Sequence, residues 1–122
     1  MYEITVIKTF SAAHDLDIGG KREGIHGHNF KVEATIASEE LNTDGLVLDF
    51  RVLKKWLNEI LEEMDHKFLG NLPPFIGISP TAENIAGFIY DRLERNAASM
   101  DLQVSRIVVW ESENSKALYT KS

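Results

Sequence analysis

Cysteine is absent from this 122-residue chain. Its absence excludes disulfides, thiolate-based zinc sites and any cysteine nucleophile. Positive charge is also scarce: the net charge is −6 at pH 7, against general nucleic-acid binding, which rests on clustered Lys and Arg. No window approaches the roughly 20 apolar residues of a membrane helix. The opening "YEITVIKTF" has no basic segment leading into a long apolar one, so no signal peptide is expected and a cytoplasmic location is. With three prolines, and no repeat, linker or low-complexity tract, residues 1–122 are expected to form a single domain. Composition is that of an ordinary globular protein, 43% apolar and 26% charged. An anionic substrate would need a local positive centre in such an acidic chain, and a bound metal can supply one.

Hydrophobic patterning predicts an α+β domain. Residues 2–13 read as a strand, with Ile4, Val6, Phe10 and Ala12 sharing one parity. A loop with three glycines follows at 15–25. Residues 26–37 read as a second strand, placing Phe30, Val32, Ala34 and Ile36 on one face and Asn29, Lys31, Glu33 and Thr35 on the other. After a turn at Asp44–Gly45, Asp49 is placed to cap a helix running to about residue 64. Its apolar stripe is Phe50, Leu53, Trp56, Leu57, Ile60, Leu61 and Met64. Residues 65–80 read as a loop, and Thr81 as the cap of a second helix to about residue 96, with Glu83 suiting its dipole. Residues 102–111 and 115–121 close as a hairpin. The order β-β-α-α-β-β predicts a mostly antiparallel sheet with both helices on one face. Val104 and Val108 oppose Ile107 and Val109 in parity, so the third strand is expected to be buried on both faces, one of them by neighbouring subunits.

The apolar parity of the first strand ends at His14, and that of the second begins at His26 and His28. Regular strands would therefore send three imidazoles from one side of the sheet at one end, since residues two apart project together. Three imidazoles suit Zn²⁺, with a fourth position open for water or substrate. The spacing His-x-His alone is also compatible with a polar strand end. Glu23, in the glycine loop, is either a solvated carboxylate or a general base beside the metal. Asp65 and His66 offer an acid–base pair or simply a cation at a helix C-terminus. Glu111 is an edge charge or a ligand anchor. Trp56 and Trp110 fit a core better than a stacking platform, and Glu59, Glu62 and Glu63 a solvated helix face. Lys21, Arg22, Lys67 and Lys116 are candidate phosphate contacts or ordinary surface.

Taken in order, "FSAAH", "HGHNF", "VLDFRVLK", "MDHKFL", "PTAEN" and "WES" resemble the 6-pyruvoyl-tetrahydropterin synthase family, which includes 6-carboxytetrahydropterin synthases of queuosine biosynthesis. The resemblance spans nearly the whole chain. It implies a tunnelling fold (T-fold) whose subunits close into an oligomeric β-barrel, a trimer or a hexamer of two trimers. It also implies Zn²⁺ on His14, His26 and His28, with a small-molecule pterin triphosphate bound between subunits. Asp65 and His66 map to the family's proton-transfer pair. Glu111 maps to the glutamate that anchors the pterin ring, a job suited to a carboxylate accepting two parallel hydrogen bonds. Thr81 and Glu83 map to a Thr–x–Glu near the pterin.

One departure matters. The family pattern Cys-x-x-x-His-Gly-His would place cysteine at position 22, where this chain has Arg22, and Glu23 stands one residue closer to the histidines. Glu-x-x-His-Gly-His resembles the variant subgroup (type III) of some bacteria and malaria parasites, associated with shortening dihydroneopterin triphosphate to a hydroxymethyl group for folate synthesis. A carboxylate of reference pKa about 4.3 is a far weaker base than a thiolate at about 8.5, though it can take a proton from a metal-polarised hydroxyl. The resemblance thus implies a zinc-dependent lyase giving 6-hydroxymethyl-7,8-dihydropterin. The other chemistries it leaves open are a pyruvoyl- or carboxy-tetrahydropterin synthase and a non-catalytic pterin- or metal-binding barrel protein.

Overall fold

A computed structural model describes residues 1–121. Strands β1 (Tyr2–His14) and β4 (His26–Ser38) pair antiparallel along their whole length, from Tyr2 opposite Ser38 to His14 opposite His26. Even-numbered residues of both strands therefore share one face, as the alternation predicts. Val6, Phe10, Phe30, Val32, Ala34 and Ile36 are buried there, and the Phe10 and Phe30 rings stack with centroids 5.0 Å apart.

Between these strands, residues 15–25 are more ordered than a plain loop. They form a small hairpin, β2 (Asp17–Ile18) against β3 (Lys21–Arg22). Its turn is made by Gly19 and Gly20, both at positive φ, where a side chain would be strained. Glu23 N donates to Leu16 O at 2.8 Å and closes the base of this strap.

Helix α1 (Phe50–Glu62) starts at Asp49, whose side chain accepts from Arg51 N. Leu53, Leu57, Ile60, Leu61 and, just past the helix, Met64 face the sheet, while Phe50 remains about half exposed and Trp56 lies at the core's margin. Helix α2 (Ala82–Ala98) is capped by Thr81, which accepts from Asn84 N at 3.1 Å. Its buried side includes Ala82, Ile85, Ala86, Ile89 and Leu93. Both helices cover the even face.

The stretch 65–80 also differs from the expected loop. Lys67–Phe68 form a short strand, β5, parallel to β1 at Ala12–Ala13, and two 3₁₀ turns follow at Leu69–Asn71 and Pro73–Phe75. The five-stranded sheet, ordered β5-β1-β4-β6-β7 with β6 (Gln103–Ser112) and β7 (Ser115–Tyr119), is consequently mixed rather than wholly antiparallel. The chain returning from α1 runs beside β1 in the same direction, and too few residues are apolar there to reveal it as a strand.

Two bulges in β6 account for its confusing pattern. Arg106 pairs with Thr35 but Val104 with Ile36, so Ser105 is an extra residue. The extra residue reverses the parity, and Val104 joins Ile107 and Val109 against the helices. The opposite-parity pair expected from sequence is therefore reduced to Val108, opposite Glu33 and Leu118 and still buried at 6% exposure. The rest of that second face mixes exposed apolar side chains, Ile7 and Leu118, with polar pairs: Thr5 and Thr35 hydroxyls meet at 2.7 Å, and Arg106 donates to Glu3 at 3.1 Å. A second bulge, at Glu111, follows Trp110. Among the described residues no helix is long and apolar enough to cross a membrane.

Truncating Leu57, 1% exposed, to alanine is expected to lower the unfolding free energy by about 3 kcal/mol in urea titrations. Asp49 supplies a pH test. The Arg51 guanidinium, then the Arg51 backbone N–H, hold its carboxyl down at about 2. A lowered native pKa gives stabilisation that is complete above the unfolded value near 4. It is lost as pH falls toward 2. Asp49→Asn keeps a cap but does not titrate, so the wild type's stability advantage over it should vanish between pH 4 and 2.

Candidate metal centre

The end-to-end register of β1 and β4 puts His14 and His26 directly opposite each other, with His28 opposite Ala12. The ring centroids are 4.6 Å (His14–His26), 4.9 Å (His26–His28) and 5.2 Å (His14–His28) apart. Glu111 joins them from β6. Because Val109 faces the helices and Trp110 the other way, the bulged Glu111 turns back to the histidine side. One potential ligand atom from each of the four residues lies within 4.8 Å of all the others.

The tautomers are set by backbone carbonyls. His14 Nδ1 lies 2.8 Å from Pro80 O, and His26 Nδ1 2.8 Å from Gly24 O. A carbonyl oxygen only accepts, so each Nδ1 carries the proton and each Nε2 presents a lone pair. His14 is fully buried. Its Nε2 and that of His28 are the buried side-chain polar atoms without a hydrogen-bond partner among the described residues. Glu111 Oε1 approaches them at 3.7 and 3.1 Å, without the alignment of a hydrogen bond. An orphaned buried acceptor costs about 1–3 kcal/mol, and two aimed at one point fit a cation. Burial also pushes the His28 imidazole below its usual range, opposed chiefly by the nearby Glu111 carboxylate. The neutral form is the one that ligates. The three nitrogens and adjacent carboxylate oxygen therefore suit a borderline ion such as Zn²⁺.

Beside this cluster an open cleft of about 510 Å³ runs along the end of β1 and β4, reaching β5. His28 lines one side and His66 another, so one histidine of the cluster and one member of the expected acid–base pair border the same space. Asp65 and His66 are docked onto β1 at a single residue. Asp65 Oδ1 accepts from Ser11 N at 2.9 Å, and His66 N donates to Ser11 O at 2.6 Å. His66 has φ of 59°, uncommon for a non-glycine residue, and its side chain is 81% exposed. Asp65 Oδ2 lies 3.6 Å from His66 Nε2. Gly27 also lines the cleft. A Cβ there would meet only Ala12 O, at 3.7 Å, so the glycine keeps the cleft open rather than enabling the strand.

Glu23 is exposed and outside the four-residue cluster. Its strap nevertheless ends between His14 and His26, tied by Gly24 N to Asp15 Oδ1 at 3.1 Å and by an Arg22–Asp15 ion pair. The negative charge of Glu23 is felt at His28. Thr81 and Glu83 do not join the cluster: Thr81 caps α2, and Glu83 is exposed in its first turn. Sequence reasoning missed the carbonyls of Pro80 and Gly24, because backbone acceptors leave no residue-type signal. It also left Asp15, which pins the strap, within an undifferentiated loop.

The trio is expected to bind one divalent metal per chain. His28→Ala should weaken Zn²⁺ binding by more than the roughly 10–100-fold typical of losing an outer partner, measured by competition with a chelating dye.

Comparison with known proteins places this geometry. Residues 3–122 match the family profile of 6-pyruvoyl tetrahydropterin synthase. The chain is 32% identical over 118 residues to a 6-carboxy-5,6,7,8-tetrahydropterin synthase of Aquifex aeolicus, covering 78% of this chain and 73% of that one. It is 35% identical over 103 residues to a dihydroneopterin monophosphate aldolase of Pyrococcus furiosus, covering 84% and 83%. Its fold matches a Plasmodium vivax 6-pyruvoyltetrahydropterin synthase in which a glutamate, described as the catalytic residue, is changed to alanine. That match has a TM-score of 0.81 at 20% identity, over 99% and 98% of the two chains. The architecture is thus the tunnelling fold, and the chain belongs to the 6-pyruvoyl tetrahydropterin synthase family.

Proposed function

We propose that this pterin-side-chain enzyme is a zinc-dependent lyase that shortens 7,8-dihydroneopterin triphosphate to 6-hydroxymethyl-7,8-dihydropterin, supplying folate synthesis in the cytoplasm. The observation that carries the reading is the strap: in a chain with no cysteine, the segment joining His14 to His26 carries the carboxylate of Glu23, whose charge is felt at His28. Relatives support it. The Plasmodium protein is described with a catalytic glutamate, and the Pyrococcus protein is named an aldolase.

Zn²⁺ held by His14, His26 and His28 would supply Lewis-acid stabilisation of negative charge on a side-chain oxygen. Glu23 takes the proton of the hydroxyl on the second side-chain carbon. The bond between the first and second side-chain carbons breaks as the second becomes an aldehyde carbonyl. Its electron pair is left on the first carbon, conjugated with the pterin ring. His66, oriented through Asp65, returns a proton to that carbon, completing the hydroxymethyl group and releasing a phosphorylated two-carbon aldehyde. Glu111 takes the amino and ring N–H groups of the pterin, with Thr81 and Glu83 near the ring. Among the described residues its carboxylate accepts no hydrogen bond, which leaves it free for that role.

Two further readings have specific support. The Pyrococcus relative's name favours a monophosphate as substrate, and the Aquifex relative's name favours a carboxy-tetrahydropterin product with Glu23 in place of cysteine. A non-catalytic pterin- or metal-binding barrel is the reading from another class. Assembly into a trimer or a hexamer of two trimers is part of the proposal. It is supported by β7 as a terminal strand and by β1, whose outer edge is paired with β5 only at Ala12 and Ala13.

Incubation with dihydroneopterin triphosphate or monophosphate should yield hydroxymethyldihydropterin by chromatography. A pyruvoyl or carboxy product without it sinks the aldol-type reading. Glu23→Gln should lower kcat by about 10²–10⁴-fold while metal content stays at one per chain. Indifference to that change favours a binding protein.

A further inference from the structure

A row of three side chains crosses the sheet on the face away from the helices. Register sets Trp110 of β6 opposite Lys31 of β4 on one side and Lys116 of β7 on the other. The Lys31 ammonium lies 4.5 Å from the Trp110 ring centroid and that of Lys116 4.8 Å. The indole is fixed by its own Nε1–H, which donates to Glu33 Oε2 at 2.5 Å. Among the described residues neither lysine is ion-paired with a carboxylate.

An aromatic face attracts cations through its quadrupole but has no net charge. Trp110 therefore gathers two ammonium groups without neutralising either. Glu33 is the carboxylate touching the row, and it is engaged by the indole N–H. Two positive charges held this way stand out in a chain of net charge −6, and they complement an oxyanion. Position sharpens the chemistry. Lys31 follows Asn29 by two residues on the same face, about 7 Å along the strand, and Asn29 lines the cleft beside the metal cluster. Trp110 pairs with Lys31 across the strands, on the sheet face opposite Glu111 and the histidines. The row is thus the next surface reached by an extended ligand leaving the cleft on this face.

We infer that Lys31, Trp110 and Lys116 form a phosphate-binding site adjoining the metal cleft. Two sources carry this chemistry: the phosphorylated side chain of a pterin in the cleft, which rests on the function proposed above, and free inorganic phosphate, which does not.

The test uses the intact metal-loaded protein carrying Trp56→Phe, which leaves Trp110 as the single indole of the two in the chain. Inorganic phosphate is titrated while Trp110 fluorescence is followed. A saturable change is expected, weakened at least about tenfold by combining Lys31→Gln with Lys116→Gln. Lys116→Arg, which keeps the charge, should retain binding, as should His28→Ala. Equal binding in the doubly substituted protein overturns the site, and loss confined to His28→Ala overturns it in favour of the metal. Steady-state kinetics then separate the sources. Competition between phosphate and the phosphorylated pterin, with KM raised and kcat unchanged in the lysine variants, assigns the site to substrate. Phosphate binding that leaves KM untouched assigns it to the free anion. Failure of every pterin to turn over removes the proposed function but leaves the fluorescence result standing.

Discussion

Everything at the candidate site depends on one unbroken ladder. Strands β1 and β4 pair without a bulge from Tyr2–Ser38 to His14–His26. A slip of one residue in that register would exchange the faces of β4. Phe30, Val32, Ala34 and Ile36 would then leave the core, and His26 and His28 would leave His14. The hydrophobic alternation that stabilises the sheet is thus the same constraint that assembles three imidazoles. Stacking of Phe10 on Phe30, with His14 and His28 against the Phe30 ring edge-on, joins the core directly to the cluster.

Around that ladder, irregular elements do the chemical work. Alternation at the end of β6 turns the Glu111 carboxylate toward the imidazoles while leaving Trp110 on the opposite face, so two consecutive residues serve two surfaces, and the bulge at Glu111 shifts only the pairing with β7. The loop before α2 supplies Pro80 O to His14 Nδ1, and the strap supplies Gly24 O to His26 Nδ1. Both carbonyls orient a ring through its far nitrogen, the usual outer-shell arrangement at a metal site. Ser11 gathers Asp65 and His66 to the same end of the sheet through its backbone. Regular strands bring the imidazoles into range, and loop carbonyls orient the rings of His14 and His26.

Much of this was readable from residue patterns. Strict period-two alternation in two strands fixes a face for every residue, so His14, His26 and His28 could be grouped before any coordinates. Asp49 and Thr81 were legible as caps because the residue type itself supplies the acceptor. The shared side of Val104, Ile107 and Val109 was not legible, since a bulge at Ser105 changes parity without a distinctive residue. Strand β5 escaped notice because two residues carry no period. The unexpected order of the strap comes from backbone hydrogen bonds and from Asp15, whose carboxylate looks like any other loop acid in sequence.

By itself the sequence determined the α+β order, the core faces of β1 and β4, the three-histidine set, the missing thiol and the family resemblance, because these follow from residue type and short-range period. Tertiary structure alone decided which nitrogens are free, that Glu111 approaches them, and that His66 shares a cleft with His28. It also set two lysines about Trp110. Each of these depends on where separate segments cross in space and on backbone atoms common to every residue, for which side-chain pattern holds no record.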